Sequence, residues 1–157
     1  MGPILVAFAT KHGSTREVAE EVAHVLVQSG FEVEIRPAGK AKDSARFAAV
    51  VLGGALYMGR LHKDARRFLN RERATLAAPS FAVFAMGPRS LEPDAVERST
   101  AQLNRALEQS GALEPVAKMI FGGVYPKHSI DARDWDAIRA WAEEVARLFA
   151  KAELSNR

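Results

Sequence analysis

The stretch Ile4-Leu5-Val6-Ala7-Phe8-Ala9-Thr10-Lys11-His12-Gly13-Ser14-Thr15 runs from six apolar residues through a polar turn into a helical pattern. A short, unbroken apolar run bounded by turn residues suits a strand covered on both faces, the environment of a parallel sheet. Beyond the turn, Val18, Val22, Val25 and Leu26 fall on one face of a helix. Ser14 followed by Glu17 has the form of a capping box, and Gly30 suits a left-handed helix stop. The turn therefore opens a helix. Its backbone N–H groups, the helix dipole, and the Thr and Ser hydroxyls form a cradle for a phosphate that needs no cation.

Outward from this unit the same alternation repeats. Phe31 to Ile35 alternates apolar with acidic residues and reads as a half-exposed outer strand, whereas Ala48 to Leu52 is apolar throughout and reads as central. Gly53 to Gly59 is expected to be a glycine-punctuated loop, followed by a helix with Ala65, Phe68 and Leu69 inward and Arg66, Arg67 and Arg71 facing solvent. Ser80 to Met86 is a further buried strand, broken by Gly87-Pro88. Pro93 then takes a first helical position ahead of Val96, Thr100, Leu103 and Leu107, and Gly111 ends that helix. Val116 to Phe121 reads as the fifth strand, Gly122 to Ile130 as a loop, and Trp135 to Phe149 as an amphipathic helix that frays from about Ala152. Strict alternation implies parallel strands with right-handed crossovers. The expected fold is α/β: a three-layer, doubly wound sandwich on a five-stranded parallel sheet, with residues 1–157 as a single domain.

Composition narrows the chemistry. With 157 residues, 48% hydrophobic and 26% charged, the chain has enough apolar content to bury about 70% of its unfolded surface. It contains no cysteine, which excludes disulfides, thiolate metal sites and cysteine nucleophiles. His12, His24, His62 and His128 lack metal-ligand spacing, so no metal is expected. The longest apolar run is far below the ~20 residues of a membrane span, and the expected location is cytoplasmic. The net charge of +3 is modest, and no basic run is interleaved with stacking aromatics, so no specific nucleic-acid partner is expected. Triphosphatase and dinucleotide glycine motifs are absent, as are the acidic residues of a receiver domain.

In an open parallel sheet, ligands bind beyond the carboxyl ends of the strands. Thr10-x-x-Gly13-x-Thr15 resembles the FMN phosphate loop of flavodoxins, with His12 in place of a usual threonine. The resemblance implies the strand order 2-1-3-4-5 and FMN as cofactor, held in part by Thr10, Lys11, His12, Gly13, Ser14 and Thr15. The segment from Gly53 through Ala55, Leu56, Tyr57, Met58 and Gly59 to His62 resembles the loop that lines one flavin face. It is most similar to the flavodoxin-domain group that includes the menaquinone-dependent protoporphyrinogen oxidases. Tyr57 and Met58 are both candidates to cover the ring. Met86, Gly87, Pro88 and Arg89 are expected at its polar edge, although the Gly-Asp and aromatic pattern of electron-carrier flavodoxins is absent there. Phe121-Gly122-Gly123-Val124-Tyr125-Pro126 again resembles the protoporphyrinogen-oxidase group, without the long hydrophobic insertion that follows in that group.

The resemblance implies electron transfer through a bound flavin, with a redox partner protein or a quinone as the other party. Its alternatives are an FMN-dependent oxidoreductase of the protoporphyrinogen-oxidase type, and an interaction module that binds FMN weakly or not at all. No side chain is assigned a catalytic role. Charge separates this chain from acidic carriers. Lys11, His12, Arg60, His62, Lys63, Arg89, Lys127 and His128 all fall at the expected ligand end, with Glu92 and Asp94 the nearest acids in sequence.

Overall fold

The computed structural model describes residues 2–77 and 80–155. Five strands form the main sheet: β1 (Ile4–Ala9), β2 (Val33–Pro37), β3 (Ala49–Tyr57), β5 (Phe81–Met86) and β6 (Ala117–Phe121). They lie in the order β2-β1-β3-β5-β6 with every neighbouring pair parallel, which is the expected 2-1-3-4-5 arrangement. A short β4 (Arg60–Leu61) pairs antiparallel with the end of β3, and β7 (Val124–Tyr125) pairs with β8 (Ile130–Asp131) apart from the main sheet.

Alternating side chains divide the core into two layers. Ile4, Val6 and Phe8 of β1 join Val51 of β3 and Phe84 of β5 in packing against α1 (Ser14–Gln28) and α5 (Trp135–Ser155). Leu5, Ala7 and Ala9 join Leu52 and Val83 on the opposite face, against α2 (Lys63–Arg71), α3 (Arg73–Leu76) and α4 (Pro93–Gln109). All six residues of β1 are buried, as a strand with helices on both faces requires. β2 lies at the sheet edge and is only partly covered.

Several expectations need correction. Gly53 and Gly54 lie within β3, because the strand continues through Tyr57 instead of ending at Leu52. A Cβ on Gly53 would lie 2.1 Å from Cζ of Phe84, and one on Gly54 would lie 2.7 Å from Leu61 on the other face. The glycines admit neighbours that press onto the strand. Phe84, seated over Gly53, meets Phe121 and Trp141 with ring centroids 5.6 and 5.8 Å away and so ties β5 to β6 and α5. The turn after β3 has only two residues, Met58 at φ +51° and Gly59 at φ +78°. Paired positive values mark a type I′ hairpin.

At α1, no side chain caps the amino end, so the Ser14–Glu17 capping box does not form; the cap is Gly13 in the left-handed region. Gly30 does end α1, at φ +98°, and its N–H donates to Val27. Arg67 and Arg71 are exposed as expected, whereas Arg66 is half-buried; Arg66 also donates to the Leu61 carbonyl and Arg71 to those of Ala38 and Ala41, which pins α2. The segment 122–130 carries β7 and a 3₁₀ turn where a loop was expected, and α5 runs past Ala152 to Ser155.

The Gly53 contact yields the first prediction. Gly53→Ala should destabilise the protein by about 3 kcal/mol, the upper end of the overpacking range, as measured by urea unfolding. Combined with Phe84→Ala, the loss should be well short of the sum of the single changes, because each relieves or removes the same contact.

Candidate functional site

Register brings the candidate loops to one edge. Ala9 pairs with Gly54, Ala55 with Met86, and Met86 with Phe121, so the segments after β1, β3, β5 and β6 emerge side by side. This carboxyl edge is where an open parallel sheet presents ligands. A cleft of about 290 Å³ near Asn104 and Lys118 lies at the opposite, amino end of the strands and holds none of the candidate residues.

The loop after β1 is tightened by its own first residue. Thr10 Oγ1 accepts the Gly13 N–H at 2.9 Å, and Gly13, at φ +94°, turns the chain into α1. The first-turn N–H groups of Ser14, Thr15 and Arg16 have no acceptor within the described residues, as the geometry of a helix start dictates. Thr15 is fully buried, and its hydroxyl has no hydrogen-bond partner among the described residues. A buried unpaired hydroxyl costs about 1–3 kcal/mol. An anion seated on the loop would satisfy that hydroxyl, so the donor set fits a terminal phosphate. Lys11 and His12 are exposed at the loop's outer side.

Across the edge, Tyr57 is 55% exposed and Met58 85% exposed at the tip of the β3–β4 hairpin. The Lys11 ammonium sits 3.6 Å from the Tyr57 ring centroid, which joins the first loop to the second. It holds the Tyr57 phenol below its usual pKa, through contact with the ammonium first and its charge second. His62 is not directed at the edge. Its Nδ1 accepts the Asp64 N–H at 3.0 Å and caps α2.

The third loop is held by the fourth. The Tyr125 hydroxyl donates to the Gly87 carbonyl, the Gly123 N–H to the Pro88 carbonyl at 2.9 Å, and the Arg89 guanidinium lies 4.8 Å from the Tyr125 ring centroid. Leu56, Met58, Gly59, Gly87, Pro88 and Arg89 meet around one cleft, together with Tyr125 and residues of α4. Residues 10–15 do not line that cleft. Lys127 and His128 are exposed on the turn after β7.

Sequence reasoning passed over Arg133. Its guanidinium binds Asp131 at 2.8 Å and Glu17 at 3.1 Å, reaches the Ser14 carbonyl at 3.5 Å, and lies 4.9 Å from the Trp135 ring. It thereby ties the start of α5 to the first turn of α1. The Asp131 carboxyl is held below its usual pKa by the Arg133 hydrogen bond, against an opposing effect of burial. Asp131 and Arg133 meet locally, two residues apart, but only folding brings Glu17 to them.

An open parallel sheet with a phosphate-type loop at its first strand–helix junction defines the class of α/β proteins that bind a nucleotide at the carboxyl edge. The flavodoxin domain family model matches residues 5–135, and the chain belongs to that family. It is an FMN-binding redox protein. Among curated proteins it is similar to protoporphyrinogen IX dehydrogenase [quinone] of Escherichia coli, at 22% identity over 96% of this chain and 98% of the relative. Among solved structures it is similar to a point mutant of the flavodoxin from Pseudomonas aeruginosa, with TM-score 0.66, 17% identity, and 94% and 99% of the two chains covered. A WrbA-like flavodoxin from Agrobacterium tumefaciens gives TM-score 0.63 at 14% identity, over 97% and 99%. No helix among the described residues is long and apolar enough to cross a membrane.

The Asp131–Arg133 contact generates a pH prediction. A carboxyl whose folded pKa is depressed stabilises the fold above its unfolded pKa, and that contribution is lost as pH falls through the folded pKa. Asp131→Asn should therefore cost about 0.5 kcal/mol at neutral pH, as exposed pairs do, and the gap to the wild type should close in strong acid. Urea unfolding at several pH values reads both.

Proposed function

We propose that the protein uses its flavin as an oxidoreductase acting on a small-molecule partner of the quinone type. The observation that carries this reading is the basic carboxyl edge. Lys11, Arg60, Lys63, Arg89 and Lys127 are exposed there, and among the described residues Lys11 and Arg89 are each engaged by an aromatic ring while the side chains of the other three have no partner. Positive charge near a flavin favours its fully reduced anion and draws the two electron steps together. Two-electron exchange with a small molecule follows more readily from that field than a one-electron shuttle does. Similarity along nearly the whole of a quinone-linked dehydrogenase supports the same reading.

In this reading the backbone of residues 10–15 and the Thr10, Ser14 and Thr15 hydroxyls hold the phosphate, while Lys11 and His12 add positive charge. Residues Ala55 to Gly59 flank one face of the ring, and the backbone of Met86 to Arg89 meets its polar edge. FMN, when bound, supplies the redox chemistry. The chain fixes orientation: Tyr125 and Gly123 immobilise the 87–88 backbone, and the tight hairpin holds Tyr57 and Met58 at the edge.

Thr15→Ala should weaken FMN by about 1.5–3 kcal/mol but riboflavin far less, since the hydroxyl serves the charged group. The ligand-free variant should be no less stable than the wild type, because a buried unpaired hydroxyl has been removed. Parallel titrations with the two flavins and thermal unfolding of the free protein test both statements; equal losses for both flavins would show the loop to be misassigned.

Charge reversal tests the chemistry. Arg60→Glu with Lys63→Glu should make the second electron harder to add and widen the gap between the two one-electron midpoint potentials. Potentiometry at low salt measures this, and added salt should shrink the effect. A wild-type protein with a very negative second potential would return it to the shuttle class.

A further inference from the structure

The start of α1 is braced by a side chain from the other end of the fold. Arg133 follows the β7 and β8 pair, and the backbone that carries it is held down: the Ala132 N–H donates to the Gly123 carbonyl at 3.0 Å, and a Cβ at position 122 would collide with the Ala132 carbonyl oxygen. Glycine at 122 is what admits this approach. Asp131 then aims the guanidinium. Its two carboxylate oxygens accept from Nε at 2.9 Å and from Nη2 at 2.8 Å, a forked arrangement that leaves Nη1 for α1. Nη1 donates to Glu17 Oε1 at 3.1 Å and reaches the Ser14 carbonyl at 3.5 Å. With the Trp135 ring 4.9 Å away, the Arg133 side chain is only 10% exposed, so water screens its charge less than that of a surface arginine.

Both contacts with α1 bear on the anion loop. The Ser14 carbonyl shares its peptide unit with the Thr15 N–H, one of the open first-turn donors, and a positive group at the carbonyl polarises that unit so that its N–H donates more strongly. Glu17 matters through its sign. A carboxylate in the first turn favours the helix start when no ligand is bound, yet it opposes a second anion seated at the same end. Pairing with Arg133 cancels that opposition. The cluster of Glu17, Asp131 and Arg133 carries one net negative charge, and without the guanidinium it would carry two beside the buried, unpartnered Thr15 hydroxyl.

We propose that Arg133 is a positioning residue for the anion loop: it pairs Glu17 and polarises the Ser14 peptide so that residues 10–15 take a phosphate group in preference to a neutral ligand. The role rests on the placement of the FMN phosphate given above. It is exerted through Glu17 and Ser14, and no contact between Arg133 and the ligand is invoked.

The test titrates the flavin-free full-length protein with FMN and, in parallel, with riboflavin, which lacks the phosphate. Arg133→Met should weaken FMN about tenfold, the scale of a screened interaction between partly buried charges, and leave riboflavin nearly unchanged. Arg133→Lys, which keeps the charge, should retain most of the preference for FMN. Adding Glu17→Gln to Arg133→Met should recover most of the lost affinity, because the carboxylate left unpaired is gone. Glu17→Gln alone alters a side chain that is 62% exposed, so the fold should tolerate it, and it should bind FMN at least as tightly as the wild type. Equal losses for both flavins in Arg133→Met would leave Arg133 a packing role and overturn the proposal. A double variant no better than Arg133→Met, an Arg133→Lys as weak as Arg133→Met, or weaker FMN binding in Glu17→Gln would each do the same. Failure of the loop assignment reads differently: Thr15→Ala would then affect FMN and riboflavin equally, whereas a split at Thr15 with none at Arg133 sinks this inference alone.

Discussion

The absence of a side chain at Gly53 is the constraint on which the sheet end depends. A parallel strand with helices on both faces has no free side, so every side chain on it must find room in a close-packed layer. Phe84 takes that room over Gly53, and its contacts with Phe121 and Trp141 bind β6 and α5 to the centre of the sheet. Gly54 does the same on the opposite face for Leu61, which draws β4 back against β3. One glycine pair thus sets both the aromatic cluster and the hairpin that carries Tyr57 and Met58.

The carboxyl edge is assembled by contacts between loops as much as by the strands beneath them. Lys11 reaches Tyr57, Tyr125 holds the Gly87 carbonyl, Gly123 holds Pro88, and Arg133 links α5 to the start of α1. These polar contacts occupy backbone donors and acceptors that would otherwise be exposed or unpaired, and they leave the Thr15 hydroxyl as the unsatisfied group at the loop. Rigid surroundings with one unmet donor set are what a preorganised anion site requires.

Charge gives the same edge its chemical character. Acids are not absent: Asp131 is paired with Arg133, Asp64 lies in the first turn of α2, and Glu92 and Asp94 are exposed beside the third loop. The exposed cations Lys11, Arg60, Lys63, Arg89 and Lys127 outnumber them at the edge. Such a field favours anionic ligands, among them the phosphate proposed for the first loop.

Much of this was legible from residue order. The first strand, the polar turn and the α1 periodicity follow from local chemistry, because apolar runs and helical spacing report burial directly; the strand order came from the resemblance carried by Thr10, Gly13 and Thr15. Gly53 to Gly59 was misread because a glycine pair that admits Phe84 and Leu61 looks in one dimension like a flexible loop. Ser14 and Glu17 matched a capping pattern, yet the backbone at Gly13 turned left-handed and Glu17 went to Arg133. Local sequence determined where most of the strands and helices form and where the polar turn before α1 begins. Tertiary structure alone decided which side chains meet at the edge, because Arg133 with Glu17 and Tyr125 with Gly87 are brought together only by packing across the sheet.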